Sequence, residues 1–122
     1  MSNLIEKFQK IVTDISTNKG TLNLFALSYR ENDSQTFDLL ISARWINIDD
    51  FYFLKYIENL LKQELDSNDI LKISRIVLLD PEETSVKAIT NCFYINEGNL
   101  TIQHSLIGNV PILKMVIFSS NK

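Results

Sequence analysis

The sequence predicts an α+β domain in which three helices pack on one face of a mainly antiparallel sheet of about five strands, a two-layer arrangement. Three observations carry the prediction. Apolar residues recur at helical spacing in three segments, further segments alternate or run apolar over strand-like lengths, and the two kinds are interspersed. Their order is helix, two strands, helix, strand, helix, then two or three strands.

Residues 3–18 place Leu4, Ile5, Phe8, Ile11, Val12 and Ile15 on one side and Glu6, Lys7, Gln9, Lys10, Thr13 and Asp14 on the other, which is an amphipathic helix. Ser2 or Asn3 can cap its start, and Gly20 can end it in the left-handed conformation. From Thr21 to Arg30, the residues Leu22, Leu24, Phe25, Ala26, Leu27 and Tyr29 are too apolar for a strand with one wet face, so this strand should be central. Glu31-Asn32-Asp33-Ser34-Gln35 has turn chemistry, and Phe37, Leu39, Ile41, Ala43 and Trp45 then alternate with Asp38, Leu40, Ser42 and Arg44 as the second strand of a hairpin.

Asp49-Asp50 opens a second helix over residues 49–66, its carboxylates suited to the positive end of the helix dipole. Stepping round it from Phe53 gathers Leu54, Ile57, Leu60 and Leu61 into the buried stripe and sends Lys55, Asn59, Lys62 and Asp66 to water. Glu64 falls inside the apolar stripe and Tyr52 outside it. A polar connection, Asp66-Ser67-Asn68-Asp69, leads to a strand at Ile73–Leu79 whose continuous apolar centre reads as interior. Asp80-Pro81-Glu82-Glu83 reads as a cap, a first-turn proline and a carboxylate three residues past the cap, so a third helix starts there and ends near residues 91–93. A short strand at 93–95, a turn at 96–99 and strands at 100–106 and 112–119 complete the chain, the last after Gly108-Asn109-Val110-Pro111.

Composition bounds the function. At 122 residues and 45% apolar content, one domain spanning 1–122 can build a core without disulfide staples. Twelve basic against fifteen acidic side chains give 12 − 15 = −3, so no overall field draws the chain to nucleic acid or to anionic lipid. No window approaches the roughly 20 apolar residues of a membrane span. One cysteine, Cys92, and one histidine, His104, rule out an intrachain disulfide and every Cys/His structural zinc pattern. The first ten residues lack the apolar run of a signal peptide, which together with the cysteine usage gives a cytoplasmic expectation. The wealth of isoleucine and asparagine suits an AT-rich microbial gene. The three glycines are too far apart for a phosphate cradle, and neither cofactor nor metal is expected.

Individual residues add little chemistry. Alternation puts His104 on the face of Leu100, Ile102 and Leu106, where a partly buried, hydrogen-bonded imidazole is expected. Cys92, on the apolar side of a helix end, reads as a small buried hydrophobe, not as a nucleophile served by His104. Helix capping accounts for Asp80, Glu82 and Glu83 and for Asp49 and Asp50 better than a cation site does. Glu64 needs either an exit to water or a cation, for which Arg44 and Arg75 on strands are the candidates. Trp45, Phe51, Tyr52, Phe53 and Tyr56 concentrate five rings within twelve residues at a strand–helix junction. Such rings bury large area at little cost in rotamer entropy when a partner covers them.

The expected function is therefore a non-enzymatic protein-interaction or regulatory domain, contacting a protein partner or a second copy of itself through Trp45, Phe51, Tyr52 and Tyr56. The alternative is an anion-binding domain or minor enzyme, with a pocket between helices and sheet lined by Arg44, Glu64, Arg75 and His104.

Overall fold

A computed structural model describes residues 4–30, 35–47 and 49–122. The elements, in chain order, are α1 (Leu4–Asn18), β1 (Leu24–Tyr29), β2 (Phe37–Ser42), α2 (Phe51–Glu64), α3 (Ser67–Leu71), β3 (Ile73–Leu79), α4 (Thr84–Cys92), β4 (Leu100–Ile107) and β5 (Val110–Ser120). The strands form one sheet in the order β3-β2-β1-β5-β4. Three pairings are antiparallel and one, β2 with β3, is parallel. The α+β class and the mainly antiparallel sheet are thus as the sequence predicts. The cap at Ser2 or Asn3 and most of the turn at 31–35 lie outside the described residues.

The expected two layers become three where α4 packs. Phe8, Ile11 and Ile15 of α1 and Phe53, Ile57 and Leu61 of α2 cover one face, against Phe25, Leu27, Phe37, Leu39, Ile41 and Phe118. Val86 and Ile89 of α4 cover the other, against Leu24, Ala26, Met115 and Ile117. The reason is written in β1. Its side chains are apolar on both sides of the pleat, so the central strand needs cover on both faces, and helices on one face would leave Leu24 and Ala26 in water.

β3, read from sequence as interior, is an edge strand. Apolar residues on both faces of a strand report what lies above and below it, and say nothing about a neighbour at its side. The polar connection before it contains a fourth helix, α3. Asp66 accepts from the Asp69 amide at 2.9 Å while Asp69 accepts from the Asp66 amide at 3.4 Å, a reciprocal cap that nucleates a single turn.

α2 starts where Asp50 accepts from the Phe53 amide at 3.1 Å. α4 starts later than expected. Asp80 Oδ1 accepts from the Glu82 amide at 2.8 Å and the Asp80 carbonyl from the Glu83 amide at 3.0 Å, so Asp80-Pro81-Glu82-Glu83 closes a turn of its own before the helix begins at Thr84. The short strand at 93–95 reduces to one bridge, Ile95 with Ser120. β4 and β5 join through Gly108 and Asn109 at φ 52° and 69°, the two left-handed residues that a tight hairpin turn requires. β5 therefore starts at Val110. Pro111 is tolerated because pairing with β1 begins only at Lys114, so its missing N–H breaks no bond on that side.

Candidate functional site

The aromatic cluster divides into anchored and free rings. Phe53 is buried, and its ring meets Trp45 edge-on at 5.4 Å and Tyr56 at 6.0 Å. Trp45 lies beyond the end of β2, and its indole N–H donates to the Thr21 carbonyl at 2.8 Å. A Cβ on Gly20 would stand 3.0 Å from that nitrogen, so glycine there both ends α1 and makes room for the indole. Tyr56 is half-buried under the Lys19 ammonium, 4.8 Å from the ring centroid. These three rings hold the α2 entrance to the body of the domain.

Phe51 and Tyr52 do not fold back. They are the first two residues of α2, 62% and 85% exposed, and their rings meet each other edge-on at 6.2 Å, with the Lys55 ammonium 5.6 Å from the Phe51 centroid. The Asp50 cap fixes the phase of the helix. Once Phe53 points into the core, the residue before it must point away from it. Of the four residues expected at a contact surface, Phe51 and Tyr52 are presented to solvent, Trp45 is partly so at 38%, and Tyr56 is packed inward.

The four residues expected to line an anion pocket do not meet. Glu64 accepts from Lys10 of α1 at 2.7 Å, so its cation comes from the neighbouring helix and not from a strand arginine. Arg44 lies past the end of β2, 3.8 Å from Glu82, an exposed pair. Arg75 pairs with Asp38, its Nε 3.3 Å from the carboxylate. His104 is on β4, at the opposite edge of the sheet from β3.

His104 is also exposed, against expectation, and the cause is local. Its φ of 49° breaks the alternation of β4. Ile102 and Ile107, an odd number of residues apart, both join the α4 core, and Leu106 is turned out to 68% exposure. Cys92 is likewise exposed: Val86 and Ile89 fill the buried side of α4 and leave the thiol at its end outside.

Two features were not anticipated. Arg44, Ile46, Asn47, Asp80 and Pro81 line an open cleft of about 400 Å³ just past the carboxyl ends of β2 and β3. On the sheet face that carries α4, Arg30 donates from Nε to one oxygen of Asp38 at 3.2 Å and Arg75 Nε stands 3.3 Å from the same oxygen, while the other oxygen is buried without a hydrogen-bond partner among the described residues. The signal for this trio was Asp38 itself, the one charged residue in β2. Its partners follow from strand register, which places Arg75 beside it only because β2 and β3 are parallel. Among the described residues no group of three or more His, Cys, Asp or Glu side chains converges to hold a metal, and no helix is long and apolar enough to cross a membrane. Comparisons with models of protein families, with curated proteins and with solved structures find no match.

Proposed function

We propose that the chain is a non-enzymatic protein-interaction domain that pairs with a second copy of itself through the exposed face of α2. The observation that carries this reading is the pair Phe51 and Tyr52, two large rings side by side at a helix start, both mostly exposed to solvent. The same face continues through Lys55, Glu58, Asn59 and Lys62, all exposed. It is self-complementary. Two α2 helices laid antiparallel about a two-fold axis between residues 55 and 58 set Lys55 against Glu58 of the second copy, and the reverse, with each Tyr52 near the other copy's Lys62.

Sedimentation velocity across a concentration series tests it. The parent should pass from monomer to dimer, and the double substitution Phe51→Ser with Tyr52→Ser should remain monomeric with unchanged circular dichroism. A parent that is monomeric at every concentration, or a dimer indifferent to both substitutions, overturns the reading.

The cleft at Arg44 supports a second reading, a small-anion site. It lies past the carboxyl ends of the parallel strands, where open α/β sheets commonly hold ligands. Inorganic phosphate bound there must raise the melting temperature by mass action, and Arg44→Gln must abolish the rise. An unchanged melting temperature removes this reading.

A further inference from the structure

We propose that the outer edge of β3 receives an extended segment of another protein by strand addition, with an acidic side chain of that segment lying beside Arg75. This surface is separate from the face of α2 and does not depend on it.

The edge is open. β3 ends the sheet, and among the described residues no strand pairs with its outer side. Seven residues, Ile73–Leu79, carry a single charge, Arg75, and from Ile76 to Leu79 all are apolar and only half-buried. Leu71, which leads into the strand, is 77% exposed. Sheet edges are ordinarily protected by charge, proline or a bulge. Here the register slips between Phe37 and Asp38, which leaves Ser74 as the extra residue beside Arg75 and confines both protections to the N-terminal part. The run from Ile76 onward has neither, and it presents backbone donors and acceptors to a strand laid against it.

Charge selects the occupant. Arg30 and Arg75 bring two cations to one carboxylate, Asp38, on a chain whose overall charge is −3. Arg30 donates from Nε to Asp38, Arg75 Nε stands 3.3 Å from the same oxygen, and the two side chains remain 59% and 61% exposed, so Arg75 keeps donors for a second, planar, bidentate acceptor. A second copy of β3 is a poorer source of that acceptor: Ile73–Leu79 contains no acid, the Asp80 carboxylate that follows it is already held by the Glu82 amide at 2.8 Å, and the pairing would bring two net-positive trios together. The fitting partner is a foreign strand of β-branched residues with one Asp or Glu on the face that carries α4.

The test uses the intact protein and a blocked octapeptide of alternating Val and Thr with one central Glu, beside the same peptide with Gln in place of Glu. Amide hydrogen exchange locates the contact, and fluorescence anisotropy gives affinities. The Glu peptide should slow exchange in β3, and it should bind about tenfold more tightly than the Gln peptide. In an Arg75→Gln protein that preference should vanish while the Gln peptide binds as before. The proposal falls if β3 amides gain no protection at peptide concentrations up to about 1 mM, if the two peptides bind the parent equally, if Arg75→Gln leaves the preference intact, or if β3 becomes protected on raising protein concentration alone.

Discussion

The Lys10 ammonium lies 2.7 Å from a carboxylate oxygen of Glu64, joining the middle of α1 to the last turn of α2 above a shared apolar core. The Glu64 side chain is only 18% exposed and the Lys10 side chain 62%, so the pair sits at the rim, where water screens it. The hydrogen bond from Lys10 is the main reason its pKa is raised. An ion pair of this kind, with its ammonium in water, contributes little to stability. Glu64→Gln should therefore shift the urea midpoint only slightly. A double-mutant cycle with Lys10→Met should recover most of the loss as coupling, and the coupling should shrink in 1 M salt. A large loss in urea denaturation would mean that the carboxylate has a structural role beyond this pair.

A second tie, between α1 and α3, makes stability depend on acid. Lys7 donates to Asp69 at 2.6 Å and stands 3.7 Å from Asp66. That hydrogen bond is the largest cause holding the Asp69 carboxyl below its usual value, with partial burial opposing it and the Asp66 amide assisting. The folded state thus binds fewer protons at Asp69 than the unfolded chain does. Its contribution is complete above the ordinary aspartate range near pH 4 and is lost as pH falls through the depressed folded value. Lys7, raised mainly by the same bond, contributes fully below its ordinary value of 10.5 and loses that contribution only as pH rises through the folded value. Asp69→Asn should be less stable than the parent at pH 6, and the two urea midpoints should converge as pH is lowered towards 2. Parallel midpoints across that range would exclude the linkage.

What was legible in the sequence was whatever depends on neighbours along the chain. The phase of α2 was readable because the Asp50 cap and the Phe53 stripe are local, and the same phase sends Tyr52 outward. The hairpin of β1 and β2 was readable from its turn chemistry and alternation. Lateral position was not. β3 is as apolar as an interior strand because helices approach its faces, and periodicity carries no information about its side. The partner of Glu64 was missed for the same reason: the cation belongs to a helix whose packing beside α2 no local pattern specifies. His104 was placed wrongly because alternation assumes unbroken extended backbone, and a residue at φ 49° resets it.

Adjacent rings in α2 have opposite energetic roles. Tyr52 is 85% exposed, and Tyr52→Ala should change stability by less than about 0.5 kcal/mol. Phe53 is 5% exposed between Trp45 and Tyr56, and Phe53→Ala should cost about 3–5 kcal/mol through lost burial and a residual cavity. Chemical denaturation of the two variants separates them. Comparable losses would contradict the orientation of the helix.

The left-handed residue in β4 predicts an inverted substitution pattern, because that conformation penalises the side chains that strands otherwise prefer. An L-residue in that region gives up about 1–2 kcal/mol, histidine and asparagine are tolerated better than most, and glycine has no penalty. At an ordinary exposed strand position valine would stabilise and glycine would weaken. At His104 the order should reverse. His104→Gly should match or exceed the parent, and His104→Val should lose about 1–2 kcal/mol because its branched Cβ crowds the backbone at positive φ. The shift of phase at His104 is also what lets Ile102 and Ile107 both reach the α4 core, so a variant that straightens β4 must bury Leu106 or expose Ile107. Urea midpoints for the two variants, with exchange rates of the β4 amides, decide the matter: a valine variant as stable as the glycine one would mean that β4 runs straight through His104.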